Sequence, residues 1–352
     1  LGGPRALPVL RSLPNKHRHM IGAWCFADSF GPVDISDGPG MDVPPHPHTG
    51  LQTVSWLVEG AIAHTDSTGA QHTVRPGGVN VMTAGHGISH SEYSTSDTAV
   101  LHGVQLWTAL PLDHHDIEPS FAGVDDVPSA RLPGDASMRV FVGSYAGATS
   151  TAPTFSPLLG AELRIPGGTE AQLALEERFE HGVLALTPGI ALDDVPIGVG
   201  EIGVLEPGRA SAIVSAERAD GVAILLGGVP HEEEVVMFWN FIGRDHATVQ
   251  RAREAWMAER EAPTDARPRF GLVDDGSGPV TREVLAGLDD PRLRLVTQGN
   301  DGLSSARNVA IRQARGAYLC FLDADDTRPD WALQAMIEQI DREDPDLMLC
   351  PG

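Results

Sequence analysis

The sequence predicts a mainly β protein, two tandem antiparallel barrels followed by an incomplete α/β segment. Short apolar runs, many of them alternating, recur between Gly and Pro punctuation up to about residue 242, the pattern of an all-β barrel or sandwich. Metal-type donors stand as i, i+2 pairs in the first half, a spacing that puts both side chains on one face of a strand. Beyond residue 270 the pattern changes to short strands that end in acidic residues, with helical stretches between them.

The elements follow in order. Residues 51–58 (LQTVSWLV) alternate and are rich in β-branched and aromatic side chains, and Glu59-Gly60 turns the chain. Strands are expected at 61–64, 71–74, 79–83 and 101–107, separated by Ser67-Thr68-Gly69, Pro76-Gly77-Gly78 and a tight turn at 84–87. The second half repeats the scheme at 158–165, 172–175, 181–187, 202–205 and 221–226, punctuated by Pro166-Gly167-Gly168, Pro188-Gly189 and Pro207-Gly208. Residues 235–242 (VVMFWNFI) read as one long apolar strand, and Asp245 as the N-cap of a helix through Glu261. Val249, Ala252, Arg253 and Trp256 share one face of that helix, a face expected to pack on the barrels.

The chemistry concentrates in Pro44-Pro45-His46-Pro47-His48 and in His90-Ser91-Glu92. Two strands carrying these pairs face to face give three imidazole nitrogens and one carboxylate. That donor set suits Fe(II), with two octahedral positions left for substrate and O2, and zinc or another divalent transition metal fits the same donors. Eleven of the fourteen histidines precede residue 116, which favours the first barrel as the seat of chemistry. His64, His86 and His102 are expected to be hydrogen-bonded turn residues, with His86 placed to support a ligand or polarise a substrate oxygen. His17, His19, His114 and His115 are expected at the surface. His181 has no donor two residues away and reads as structural.

The runs HPHTGLQTVSWLVEG, VMTAGHGISHSE, GVQLW and IGAWCFADSFGPVD resemble the pirin family of the cupin superfamily, over residues 5–262. The resemblance implies two cupin (double-stranded β-helix) barrels with one iron in the first, held at His46, His48, His90 and Glu92, and a second barrel that has lost its metal. Family members resemble quercetin 2,3-dioxygenases in site and in some cases in activity, and others are redox-responsive partners of regulatory proteins. Two functions are therefore expected in competition. One is a dioxygenase of flavonol-like or enol substrates that uses Fe(II) and O2, with Glu92 also as catalytic base. The other is an iron-based redox sensor that acts on a protein partner without turnover.

Residues 271–352 carry a second series: GLVDDGS with Asp274 and Asp275, GLSSARN at 302–308, and YLCFLDADD with Asp323 and Asp325. The series is similar to the nucleotide-sugar half of family 2, GT-A type glycosyltransferases. It implies that Asp274 and Asp275 contact a nucleoside while Asp323 and Asp325 hold Mg²⁺ or Mn²⁺ against a diphosphate. Helices are expected at 303–315 and 331–342. The first strand and helix of that fold are absent and the sequence stops before an acceptor half, so sugar transfer is not expected and the join reads as a fragment or a fusion of reading frames. The expected organisation is a metal-binding barrel at 1–130, a degenerate barrel with closing helix at 131–262, a join at 263–273 and the truncated α/β fragment at 274–352.

Composition narrows the partners. A net charge of −23 disfavours a phosphate backbone as ligand, leaving a small aromatic molecule with O2, or a protein. Cys25, Cys320 and Cys350 are too few and too scattered for a disulfide framework, and no run has membrane-spanning length, so a cytoplasmic protein is expected.

Overall fold

Frequent Gly and Pro keep the strands short, and the longest among the described residues, Trp24–Asp34, has eleven residues. The computed structural model describes residues 7–36, 38, 40–261, 270–287, 293–300 and 302–313. The chain divides into two compact units, residues 1–257 and 258–352.

Both barrels lie in the first unit. In the first barrel one sheet runs Val9–Leu13, Trp24–Asp34, Val100–Ala109, Leu51–Glu59, Val79–Thr83 and Ser120–Val124. Its other sheet runs Asp42–His48, Ile88–Ser94, Ile62–Asp66 and Gln71–Val74. The second barrel repeats this division, with six strands around Leu158–Ile165 and Gly221–Gly228 and four around Thr169–Ala174 and Ser211–Ala216. Its interior is mostly aliphatic, with Leu163, Val183, Val214 and Leu225 fully buried.

The barrels join through their larger sheets. Trp56 stacks on Phe141 with ring centroids 4.9 Å apart, and Trp24 donates its indole N–H to the carbonyls of Leu159 and Gly227, at 3.1 and 3.2 Å. Satisfying the indole donor lets the whole ring be buried without a desolvation penalty. Removing one such ring costs about 3–5 kcal/mol.

The expected single strand at 235–242 is instead a hairpin, Val236–Phe238 paired with Phe241–Gly243. Trp239 turns the chain with φ of 54°, a conformation its own side chain disfavours. Tertiary contacts hold it there, because the Ile242 amide donates to the Thr49 carbonyl at 3.1 Å while His115 Nε2 lies 2.9 Å from the Ile242 oxygen. His115 is accordingly buried between the hairpin and Gly50, in place of its expected surface position. The helix His246–Glu261 begins where expected, with Asp245 Oδ1 accepting the Thr248 amide at 2.6 Å. Of its apolar face Val249 is buried, whereas Arg253 is exposed and covers the Phe238 ring at 5.7 Å.

In the second unit Phe270–Asp275 pairs in parallel with Leu293–Gln298, and helix Pro279–Ala286 lies between them in sequence. Helix Leu303–Gln313 follows. Asp274 accepts the Ser277 amide at 2.8 Å, with Arg282 at 3.6 Å, and Asp275 accepts from Gln298 at 2.7 Å. The expected strand at 318–322, Asp323, Asp325 and the helix at 331–342 lie outside the described residues.

Candidate metal centre

The strand Asp42–His48 runs antiparallel to Ile88–Ser94, and the register sets His46 directly opposite His90. The two donor strands are therefore hydrogen-bonded neighbours in one sheet, where the sequence suggested strands facing each other. Adjacency serves the site better, since opposed residues on one face hold their Cβ atoms about 4.5–5.5 Å apart. The imidazoles of His46, His48 and His90 pack with centroid separations of 4.5 to 4.9 Å. His48 Nε2 and His90 Nε2 lie 3.0 Å apart, both buried.

His46 is only partly buried and marks the side of the cluster nearest solvent. Its Nδ1 lies 2.9 Å from the Pro44 carbonyl, an acceptor, so Nδ1 carries the proton and Nε2 keeps its lone pair. Burial, reinforced by the neighbouring imidazoles, holds His48 and His90 well below the ordinary histidine value, and burial lowers His46 as well. Neutral rings with inward lone pairs are the form a metal needs.

Glu92 is buried on the same strand as His90, and burial pushes its carboxyl up to about 7 against the pull of the Ser55 hydroxyl. Ser55 Oγ lies 2.9 Å from both Glu92 Oε1 and Gln105 Oε1, and its single proton serves one at a time. Two overlapping donor groups emerge, His46 with His48 and His90, and His64 with His90 and Glu92, the donor atoms in each within 4.8 Å of one another. Three of the four residues singled out by the sequence, His46, His48 and His90, thus share one group, while Glu92 falls with His64 in the other, His90 being common to both. These are borderline and hard donors without a thiolate, a fit to Fe(II) or a similar first-row ion.

His64 was missed. It sits inside the strand Ile62–Asp66, buried, with Nε2 3.0 Å from Asp66 Oδ2 and Nδ1 3.3 Å from His90 Nδ1. The signal was present, for His64 and Asp66 form an i, i+2 pair like the two that were recognised. His102 is also buried within a strand, with Nε2 unpartnered, whereas His86 is half exposed in a turn, 3.3 Å from Glu118 and outside the cluster. His181 is buried in the second barrel, and among the described residues no metal-type group includes it.

Aromatic rings wall the cluster. Trp107 meets His48 edge-on at 5.1 Å and stacks on Phe26 at 3.9 Å, while Phe121 stacks on His64 at 4.5 Å. Partly buried Met20, Val235 and Met237 pack against the same apolar group.

Comparisons with known proteins agree on this region. The family model described as pirin matches residues 6–108, and the pirin C-terminal cupin domain matches 160–262. A Pseudomonas aeruginosa protein provisionally named a quercetin 2,3-dioxygenase is 39% identical over 279 residues, 79% of this chain and 85% of that one. A pirin-like protein of Caulobacter vibrioides is 33% identical, covering 72% of this chain and 88% of its own. A crystal structure of quercetin 2,3-dioxygenase from Acinetobacter baumannii superposes with a TM-score of 0.69 at 37% identity, over 71% of this chain and 83% of that one. Residues 247–351 match glycosyl transferase family 2, overlapping the end of the cupin match within the helix His246–Glu261.

Proposed function

The chain belongs to the pirin family, and from that premise we propose that its first barrel is a non-haem iron centre that dioxygenates quercetin-like flavonols or related enols. The observation that carries the reading is the buried approach of His48 Nε2 to His90 Nε2 at 3.0 Å beside His46, under an aromatic wall. Fe(II) held there supplies a Lewis-acidic position at which an enol oxygen and O2 can be brought together.

The chain's own groups do the remaining work. His46, His48, His90 and Glu92 are the proposed ligands. Glu92 Oε1 faces Ser55, which leaves Oε2 free to turn toward the metal or to take the proton of a substrate hydroxyl. Trp107 and Phe26, stacked on each other and buried, exclude water on one side of the cluster. The two relatives named as quercetin 2,3-dioxygenases support this substrate class.

We place the metal barrel at residues 1–130, the degenerate barrel at 131–262 and the glycosyltransferase-like segment after the join at 263–273. Asp274 and Asp275 stand at the carboxyl end of a strand, where such sheets bind ligands, and the family 2 match supports a nucleoside-contacting ancestry for them. Among the described residues no helix is long and apolar enough to cross a membrane. Cys25 is a free buried thiol, which supports placement in the reducing cytoplasm.

The test is oxygen uptake by the full chain, loaded anaerobically with Fe(II) and mixed with quercetin, beside His48→Ala. Iron-dependent uptake that vanishes in the variant is expected. Bound iron without uptake would overturn quercetin as the substrate, in favour of a redox sensor or an enzyme for another substrate.

A further inference from the structure

The strand Ile62–Asp66 pairs with Ile88–Ser94 so that Asp66 is opposite His90 and His64 opposite Glu92. Both His64 and Asp66 point inward, and the Asp66 side chain is fully buried. Asp66 Oδ1 is already filled by Thr68, whose amide and hydroxyl donate at 2.9 and 2.6 Å, and by the Ala70 amide at 3.3 Å. Oδ2 is left for His64 Nε2, at 3.0 Å.

We propose that Asp66 and His64 are positioning residues that fix the tautomer of His90, so that its Nε2 presents a lone pair to the metal position. The inference rests on the metal reading above. Proton accounting closes from both ends. From the outer end, a carboxylate can only accept, so His64 Nε2 carries a proton and a neutral His64 offers Nδ1 as acceptor. From the inner end, a His90 that ligates through Nε2 must carry its proton on Nδ1, and the group 3.3 Å from that Nδ1 is His64 Nδ1. One arrangement satisfies both: His90 Nδ1–H donates to His64, and His64 Nε2–H donates to Asp66.

The same accounting argues against a second ion among His64, His90 and Glu92, although their donor atoms lie within 4.8 Å of one another. A neutral His90 has one lone pair, and it cannot serve Nε2 and Nδ1 together. The stack of His64 on Phe121, centroids 4.5 Å apart, holds the ring in the plane the chain of bonds requires.

The test is Co(II) binding to the full chain, measured by chelator competition and by the visible spectrum of the bound ion, in wild type, His64→Phe, His64→Asn and Asp66→Asn. His64→Phe keeps the ring but removes the acceptor, and Asp66→Asn keeps the shape but offers His64 a donor, which reverses its tautomer. Both are expected to bind Co(II) about 10–100-fold more weakly, whereas His64→Asn, which restores an acceptor near the Nδ1 position, stays within about threefold. Thermal melts of the metal-free variants separate this effect from misfolding. Long-range ¹⁵N–¹H spectra of the metal-free wild type give an answer without any variant, with His90 protonated on Nδ1 and His64 on Nε2. The opposite tautomers would overturn the proposal, as would unchanged affinity in His64→Phe and Asp66→Asn. Two Co(II) per wild-type chain falling to one in His64→Phe would make His64 a ligand instead. A wild type that takes up no Co(II) would overturn the metal reading itself, while uptake with unaltered variants would remove only the relay.

Discussion

The first barrel turns His48, His64, His90 and Glu92 into its interior, while the second fills its own with Leu163, Val183, Val214 and Leu225. Strand order and sheet pairing are shared, so architecture does not decide which barrel is chemical. What decides is whether the inward residues satisfy one another or need a further partner. Aliphatic side chains are complete once packed. Three imidazoles and a carboxyl converge their donor atoms in the first barrel, whereas His181 stands in the second outside any such group among the described residues. The second barrel supplies a stable partner for the first through Trp24, Trp56 and Phe141.

The comparison can be broken or sharpened by experiment. The largest effect is expected from His48→Ala, which removes an inward lone pair and should weaken metal binding by at least about 100-fold, read by chelator competition. Wild-type affinity would place the metal elsewhere. Leu225→Ala in the second barrel should lower unfolding free energy by about 2–5 kcal/mol and leave metal stoichiometry untouched, read by denaturant titration beside metal analysis. A loss of metal in that variant would blur the division between the barrels.

The metal-free protein should lose stability as pH falls below about 6.5, the ordinary histidine value, because His48 and His90 stay neutral when folded and take up protons only on unfolding. Their stability is thus present above that pH and is lost as pH drops toward their depressed folded values. Glu92, raised to about 7, works in the opposite sense and offsets part of the loss. Melting temperatures between pH 8 and 5.5 check the sign, with conditions on the order of those where histidines titrate, and a flat profile would remove the claim of buried neutral imidazoles. The Cys25 thiol, pushed up to about 12 by burial, should resist alkylation at neutral pH until the barrel is unfolded, as mass spectrometry would show. The smallest effect belongs to Asp274→Ala, which should change neither metal content nor oxygen uptake.

Much of the fold was legible because turns carried Gly or Pro, as at Pro76-Gly77-Gly78, whose flanking strands fall at the expected residues. Residues 235–242 defeated that rule, since the turn at Trp239 contains neither and is imposed by contacts with Thr49 and His115, distant in sequence. His115 was misplaced for the same reason, its charged neighbours suggesting solvent while its ring is covered by the hairpin. The i, i+2 rule picked out His46, His48, His90 and Glu92 as candidates without knowledge of which strands pair, and the register then sets His46 opposite His90. His64 was placed at the end of a strand because the turn Ser67-Thr68-Gly69 follows closely, whereas the strand runs on to Asp66 and its ring turns inward. Nothing local distinguishes a histidine that ligates from one that orients a ligand, because that depends on pairing across the sheet.

Metal analysis of the full chain, loaded anaerobically with Fe(II) and dialysed, beside His90→Ala, tests the central claim most directly. One iron per chain, absent from the variant, is the expected result. No bound iron, or iron that persists in His90→Ala, would contradict an account in which only the first barrel converges on a metal.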